Sequence, residues 1–164
     1  MSEKIEQQLA LAQQYARAGA YDAAQNALRK VIDKARTNVG AWLLLGQVCG
    51  LQNAHADAEQ AFAQAARLDP RSPDAHAYLG VVCYGLRDFD AAIAHSRQAL
   101  AIKPDCAVSY YNIGNAQKEQ GKHDEAIASF DQAQLGSAAG QCRPGRSDRR
   151  HAATIRRNRG GAGR

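Results

Sequence analysis

The feature that most limits what this chain can fold into is its self-similarity at a spacing of 34 residues. Trp42, His76 and Tyr110 stand one period apart, as do Leu45, Leu79 and Ile113, then Gly46, Gly80 and Gly114, and then Ala58, Ala92 and Ala126. One step back from Trp42 and its companions come Gln8, Leu11, Ala12, Ala24, Leu28 and Val31. A fixed period of this length marks an array in which each unit is one supersecondary piece, unable to bury its apolar face alone. The units read as 5–38, 39–72, 73–106 and 107–140, the last degenerate after about residue 134. Residues 1–4 form a lead-in, and residues 141–164 are expected to be a basic tail, disordered or frameshifted.

Each unit reads as two helices of about 14 residues, roughly 20 Å long, joined by a short turn. The chain is rich in alanine and low in aromatic residues, at 6%, which favours helices packed at close range. The fold class is therefore all-α. Gly46, Gly80, Gly114 and Ala12 are expected where the first helix crosses the second, faced by Ala24, Ala58, Ala92 and Ala126. Asp69-Pro70 and Lys103-Pro104 should end second helices, because proline disfavours helical geometry in the residue before it. Asp74 and Asp105 are expected to cap the helices that follow. Gly19 and Gly121 mark the turn inside the first and fourth units, and Asn53 and Arg87 replace that glycine at a small conformational cost.

The run Trp42, Leu45, Gly46, Ala58, Phe62 and Pro70 has the spacing of the tetratricopeptide signature, with Cys49 in place of its tyrosine. Over about residues 5–134 the chain resembles the tetratricopeptide repeat (TPR) family. That resemblance implies a right-handed α-solenoid of helix-turn-helix repeats whose first helices line a concave groove. Ser109 to Ala133 is similar to the repeats that precede the catalytic region of O-linked N-acetylglucosamine transferases and of similar bacterial transferases. Those repeats carry an asparagine ladder at the sixth position of each unit. Here that position holds Ala10, Leu44, Tyr78 and Asn112, so only Asn112 matches.

By the same resemblance, positions 2, 5, 9, 12 and 13 of each unit face the groove. They include Gln13 and Arg17 in the first unit and Leu43, Gln47 and Leu51 in the second. Asp74, Val81 and Tyr84 follow in the third, with Tyr111, Asn115 and Lys118 in the fourth. Together with Asn112 these form the candidate peptide-binding surface. The amides of Gln13, Gln47 and Asn115 both donate and accept, so they suit an extended backbone. Tyr84 and Tyr111 are the candidate anchors, with packing between adjacent repeats as the alternative role for both. Leu9, Gln13, Asp74 and Tyr78 offer too little positive charge to clamp a terminal carboxylate in the manner of the family's chaperone-tail binders.

The implied function is a protein-protein interaction module or scaffold rather than an enzyme. The partner is a protein or peptide segment held in the concave groove. The alternative is the truncated substrate-binding TPR arm of a larger glycosyltransferase or sulfotransferase. No phosphate loop, nucleophile elbow or zinc-protease motif occurs, and no cofactor or metal is expected. The four cysteines form no CxxC pair and read as reduced thiols. His55, His76, His95 and His123 read as surface or packing residues. No apolar stretch is long enough for a membrane span, and a cytoplasmic, bacterial-like protein is expected.

The formal charge of +5 is unevenly placed. Residues 136–164 hold eight arginines against one acid, Asp148, a net +7. Residues 1–135 therefore hold 13 basic and 15 acidic side chains, a net −2. Arginine clusters without interleaved aromatics attract phosphate non-specifically, so no specific nucleic acid partner is expected. The Arg, Gly, Ala and Pro of this tail are also what GC-rich codons yield out of frame, which suggests a frameshifted end of a longer repeat protein. Finally, Ile127 and Phe130 lie on a fourth unit with no polar helix to seal it, an edge suited to self-association.

Overall fold

The computed structural model describes residues 2–138. Eight helices are found among them: α1 (Ser2–Arg17), α2 (Tyr21–Lys34), α3 (Val39–Leu51), α4 (His55–Leu68), α5 (Pro73–Gly85), α6 (Phe89–Ile102), α7 (Ala107–Glu119) and α8 (His123–Ala138). They form four antiparallel hairpins, α1/α2 to α7/α8, each packed on the next. The arginine-rich tail, with its frameshift reading and Cys142, lies outside the described residues.

The first helices of successive hairpins touch one another, α1 with α3, α3 with α5 and α5 with α7, whereas no second helix among the described residues touches another. First helices therefore crowd the inside of the bend and second helices spread along its outside. This is a right-handed α-solenoid with the first helices on its concave face.

The crossings explain why the period carries glycine. A Cβ on Gly46 would lie 2.6 Å from the Phe62 ring, and one on Gly114 would lie 2.7 Å from that of Phe130. A Cβ on Gly80 would overlap Ser96 Oγ and come within 3.2 Å of the Ala92 carbonyl. The three glycines thus occupy equivalent places. The side chain facing two of them is an aromatic ring four residues after the expected alanine. Ala24, Ala58, Ala92 and Ala126 are buried nearby and keep the helices close.

The turns behave as expected from Gly19 and Gly121. Both have positive φ, +75° and +77°, and the replacing residues Asn53 and Arg87 adopt the same left-handed conformation, at +59° and +64°. The capping expectation needs correction. Ser72, not Asp74, caps α5 by accepting from the Ala75 amide at 3.3 Å, and Asp74 lies in the first turn, where its charge meets the helix dipole. Asp105 sits outside α7, whose cap is Cys106 with no side-chain bond. Asn38 and Asp88 cap α3 and α6 through the Ala41 and Ala91 amides.

The residues before Pro70 and Pro104 are extended, Asp69 at φ −133° and Lys103 at φ −130°. Ala35 takes the same conformation, φ −141°, with no proline after it. The helices thus end in the same conformation with or without a following proline.

Two further contacts repeat with the period. Trp42 Nε1 donates to the Arg36 carbonyl at 2.8 Å, and His76, one period later, donates from Nε2 to the Pro70 carbonyl at 3.1 Å. The carbonyl acceptor fixes the tautomer of that imidazole. Gln52 Nε2 donates to Asp22 at 3.0 Å, and Gln120 Nε2 donates to Asp90 at 2.7 Å, each reaching back to the preceding hairpin.

Candidate functional site

The candidate surface is the concave side of α1, α3, α5 and α7. Its centre is unusual in composition: α3, VGAWLLLGQVCGL, has no charged side chain, and α5, PDAHAYLGVVCYG, has only Asp74. A helix apolar on every face is ordinarily covered on every face. Here Leu51 is 60% exposed and Val81 43% exposed, while Leu43, Leu44 and Tyr78 are half-buried. The outer two first helices supply the charge, with Glu6 and Arg17 on α1 and Lys118 and Glu119 on α7, all exposed.

The twelve candidate residues fall into three groups. Gln13, Arg17, Leu51, Asp74, Val81 and Lys118 are exposed. Leu43, Gln47, Tyr84 and Asn115 are half-buried. Tyr111 and Asn112 are buried, at 8% and 7% exposure. Tyr111 packs at a tilt against Phe130, ring centres 5.4 Å apart. Asn112 Nδ2 donates to the Ala77 carbonyl at 3.2 Å and so ties α7 to α5.

The two tyrosines differ accordingly. Tyr84 lies tilted over Phe89, centres 5.8 Å apart, and keeps part of its surface open. Burial pushes its phenol above the ordinary range, the Glu119 carboxylate adds to this, and Arg87 opposes it. Its phenol is therefore neutral through neutral pH, within the field of Glu119 at the end of α7. The sequence names Leu51 and Val81 among the groove residues without singling out their apolar exposure. The signal for that exposure was the thirteen-residue run of α3 without a charge.

The polar residues elsewhere have structural contacts. His76 and His95 stack with centres 6.2 Å apart, and His55 lies over Gly85. Among the described residues no group of three or more His, Cys, Asp or Glu could hold a metal ion. Cys49, Cys83 and Cys106 are buried. Burial, reinforced by Glu59 and Asp88, pushes the Cys83 thiol up to about 11, so it stays protonated and packs as a small apolar group. Among the described residues no helix is long and apolar enough to cross a membrane.

Two family models, both described as tetratricopeptide repeat, match residues 9–73 and 73–134. The chain belongs to the tetratricopeptide repeat family. A crystal structure of MamA superposes with a TM-score of 0.76 at 27% identity, over 83% of this chain and 80% of that one. A second MamA crystal structure gives 0.73 at 28% identity, over 82% and 73% of the two chains. The probable UDP-N-acetylglucosamine-peptide N-acetylglucosaminyltransferase SEC of Arabidopsis thaliana is 37% identical over 62 residues, 38% of this chain and 6% of that protein. The peroxisomal targeting signal receptor of Debaryomyces hansenii is 39% identical over 70 residues, 40% of this chain and 12% of that protein. This TPR chain thus spans only a small part of the length of these curated relatives, and it shares their repeats.

Proposed function

We propose that this TPR chain is an interaction scaffold that binds a polypeptide segment on its concave face, without catalysing a reaction. The apolar side chains of the partner meet Leu51 and Val81 at the centre, and its polar flanks meet Gln13 and Arg17 at one end and Asn115 and Lys118 at the other. The observation that carries this is the uncharged α3 with Leu51, a groove position by the family resemblance, 60% exposed. Covering a leucine or valine side chain contributes about 1.5–3 kcal/mol, and each 1.4 kcal/mol is about tenfold in affinity. Two such side chains can therefore decide whether a segment binds. Tyr84 serves as the aromatic anchor, while Tyr111 and Asn112 hold the face in shape from beneath.

The test is a peptide array or capture experiment with wild type, a Leu51→Asp/Val81→Asp variant and an outer-face control, Arg97→Glu. The paired variant should lose bound segments by roughly a hundredfold in affinity, and the control should keep them. Equal binding by all three proteins would move the site off the concave face.

A second reading rests on the SEC relative, in which such repeats belong to a peptide N-acetylglucosaminyltransferase. On that reading the chain is the substrate-binding arm of a larger transferase. The only ladder asparagine, Asn112, already spends its amide on the Ala77 carbonyl, which favours the scaffold.

A further inference from the structure

The first hairpin carries a cluster of positive charge that the later hairpins lack. The start of α1 and the end of α2 enclose an open cleft of about 340 Å³, whose polar lining is Lys4, Lys30, Lys34, Gln7 and Gln8. No acid lines it; Glu3, Glu6 and Asp33, the nearest in sequence, are exposed outside it. The repeat supplies its own control. One, two and three periods on, Lys4 becomes Asn38, Ser72 and Cys106, Lys30 becomes Gln64, Gln98 and Gln132, and Lys34 becomes Leu68, Ile102 and Gly136. None of these positions is charged, so the hairpin itself does not call for a cation at any of them. Gln8 departs from the pattern too, bringing an amide where Trp42, His76 and Tyr110 bring a ring.

Folding alone does not favour the arrangement. Lys30 and Lys34 are one turn apart on α2, a spacing at which like charges destabilise a helix. Lys4 stands in the first turn of α1, at the positive end of the helix dipole. None of the three has a hydrogen bond or ion pair among the described residues, and neither has the half-buried Gln8 amide. A group that brings several negative charges at once removes the repulsion and takes up these donors. A single carboxylate brings one charge against three, whereas linked phosphates bring several, and lysine ammonium groups suit phosphate as compact point charges.

We propose that this cleft is an anion site for a ligand bearing two or three linked phosphate groups, held by Lys4, Lys30 and Lys34 with the Gln8 amide donating beside them. None of the candidate groove residues lines the cleft, so the site is separate from the concave face and stands or falls without it.

Two-dimensional NMR of the isotopically labelled full-length chain tests this, with inorganic triphosphate as the probe and the Gln8 side-chain amide as the reporter. The reporter is local because the eight arginines of residues 136–164 also attract phosphate. Wild type should show a saturable Gln8 shift with a midpoint below about 1 mM. Lys30→Gln/Lys34→Gln should weaken binding roughly tenfold or more. Arg97→Gln/Lys122→Gln removes the same charge elsewhere and should leave it unchanged. All four side chains are exposed, so circular dichroism should show both variants folded. A Gln8 amide that does not respond would overturn the proposal, as would an equal response in the lysine variant or to sodium chloride at matched ionic strength. Vesicles of phosphatidylcholine with about one-tenth phosphatidic acid separate two sources of phosphate. Vesicles that displace triphosphate from Gln8 would support the site and assign it a lipid headgroup, and vesicles that leave it bound would support a free phosphate ligand.

Discussion

In the second and fourth hairpins the crossing glycine looks onto a phenylalanine ring, Phe62 or Phe130, whereas in the third Gly80 looks onto Ser96 Oγ. The third hairpin departs from its neighbours elsewhere too. It has Leu86 where Gln52 and Gln120 reach back to an aspartate, and Arg87 where Gly121 makes the turn. The backbone is nevertheless the same. The difference teaches that the period constrains the space between helices, which only glycine leaves open, more tightly than it constrains what fills that space. Stability in such an array is approximately a sum over units and their interfaces, so substitutions in the third hairpin and in its neighbours can be compared directly.

The largest contrast is expected at the filling side chain. Phe62 is 2% exposed, packs with Leu79 and Val82, and stacks on Tyr78 with ring centres 5.0 Å apart. Phe62→Ala should cost about 3–5 kcal/mol. Ser96 is fully buried, and its hydroxyl has no hydrogen-bond partner. Ser96→Ala should therefore gain stability, by about 1 kcal/mol, since an unsatisfied buried hydroxyl carries a desolvation cost of about 1–3 kcal/mol. Urea unfolding of both variants checks the opposite signs. A loss of stability in Ser96→Ala would mean that the hydroxyl is satisfied.

A smaller contrast lies at the glycines themselves. A Cβ on Gly46 meets three atoms of a rigid ring, all within 2.8 Å, and the ring is held by Tyr78 on its other side. Gly46→Ala should cost about 1–3 kcal/mol from overpacking, partly offset by about 1 kcal/mol of helix propensity. A Cβ on Gly80 meets one small side-chain oxygen, Ser96 Oγ, rather than three ring atoms, with the Ala92 carbonyl close behind it at 3.2 Å. Gly80→Ala should therefore be the milder change, and it should become milder still when combined with Ser96→Ala. Additive effects in that pair would show that Ser96 is not the obstacle.

How much of this was legible follows from which forces are local. The crossing glycines and the left-handed turns could be read because steric exclusion acts wherever the chain approaches itself, and the period says where that is. The caps were misplaced by one or two residues, since Ser72 and Asp74 differ only in which backbone amide their oxygen reaches. The site was harder. Tyr84 and Tyr111 are both groove positions by the resemblance, yet Tyr111 is buried and Tyr84 only half-buried. Their exposure depends on neighbours from the other helix, Phe130 for one and Phe89 for the other. No spacing rule carries that information. The uncharged run of α3 was visible throughout, but its meaning required knowing that one side of α3 faces no second helix.

The finest contrast is in the turns, where the sign is set by three small terms. Arg87 holds φ at +64°, a conformation that costs a side-chain-bearing residue about 1–2 kcal/mol. Its guanidinium lies 5.4 Å from the centre of the Phe89 ring, a contact worth about 0.5–1 kcal/mol at an exposed site. Replacing it by glycine also frees the unfolded chain, at about 0.4–1 kcal/mol. Arg87→Gly should then change stability by less than about 0.5 kcal/mol in either direction. Gly121→Ala faces the strain with no compensating contact, because nothing lies within 4 Å of its Cβ position, and it should cost about 1 kcal/mol. Thermal unfolding of Arg87→Gly, Arg87→Ala and Gly121→Ala separates the terms. Arg87→Ala keeps the strain and loses the ring contact, so it should be the least stable of the Arg87 series. If it matched wild type, the cation over Phe89 would contribute nothing, and the turn alone would decide which residue stands there.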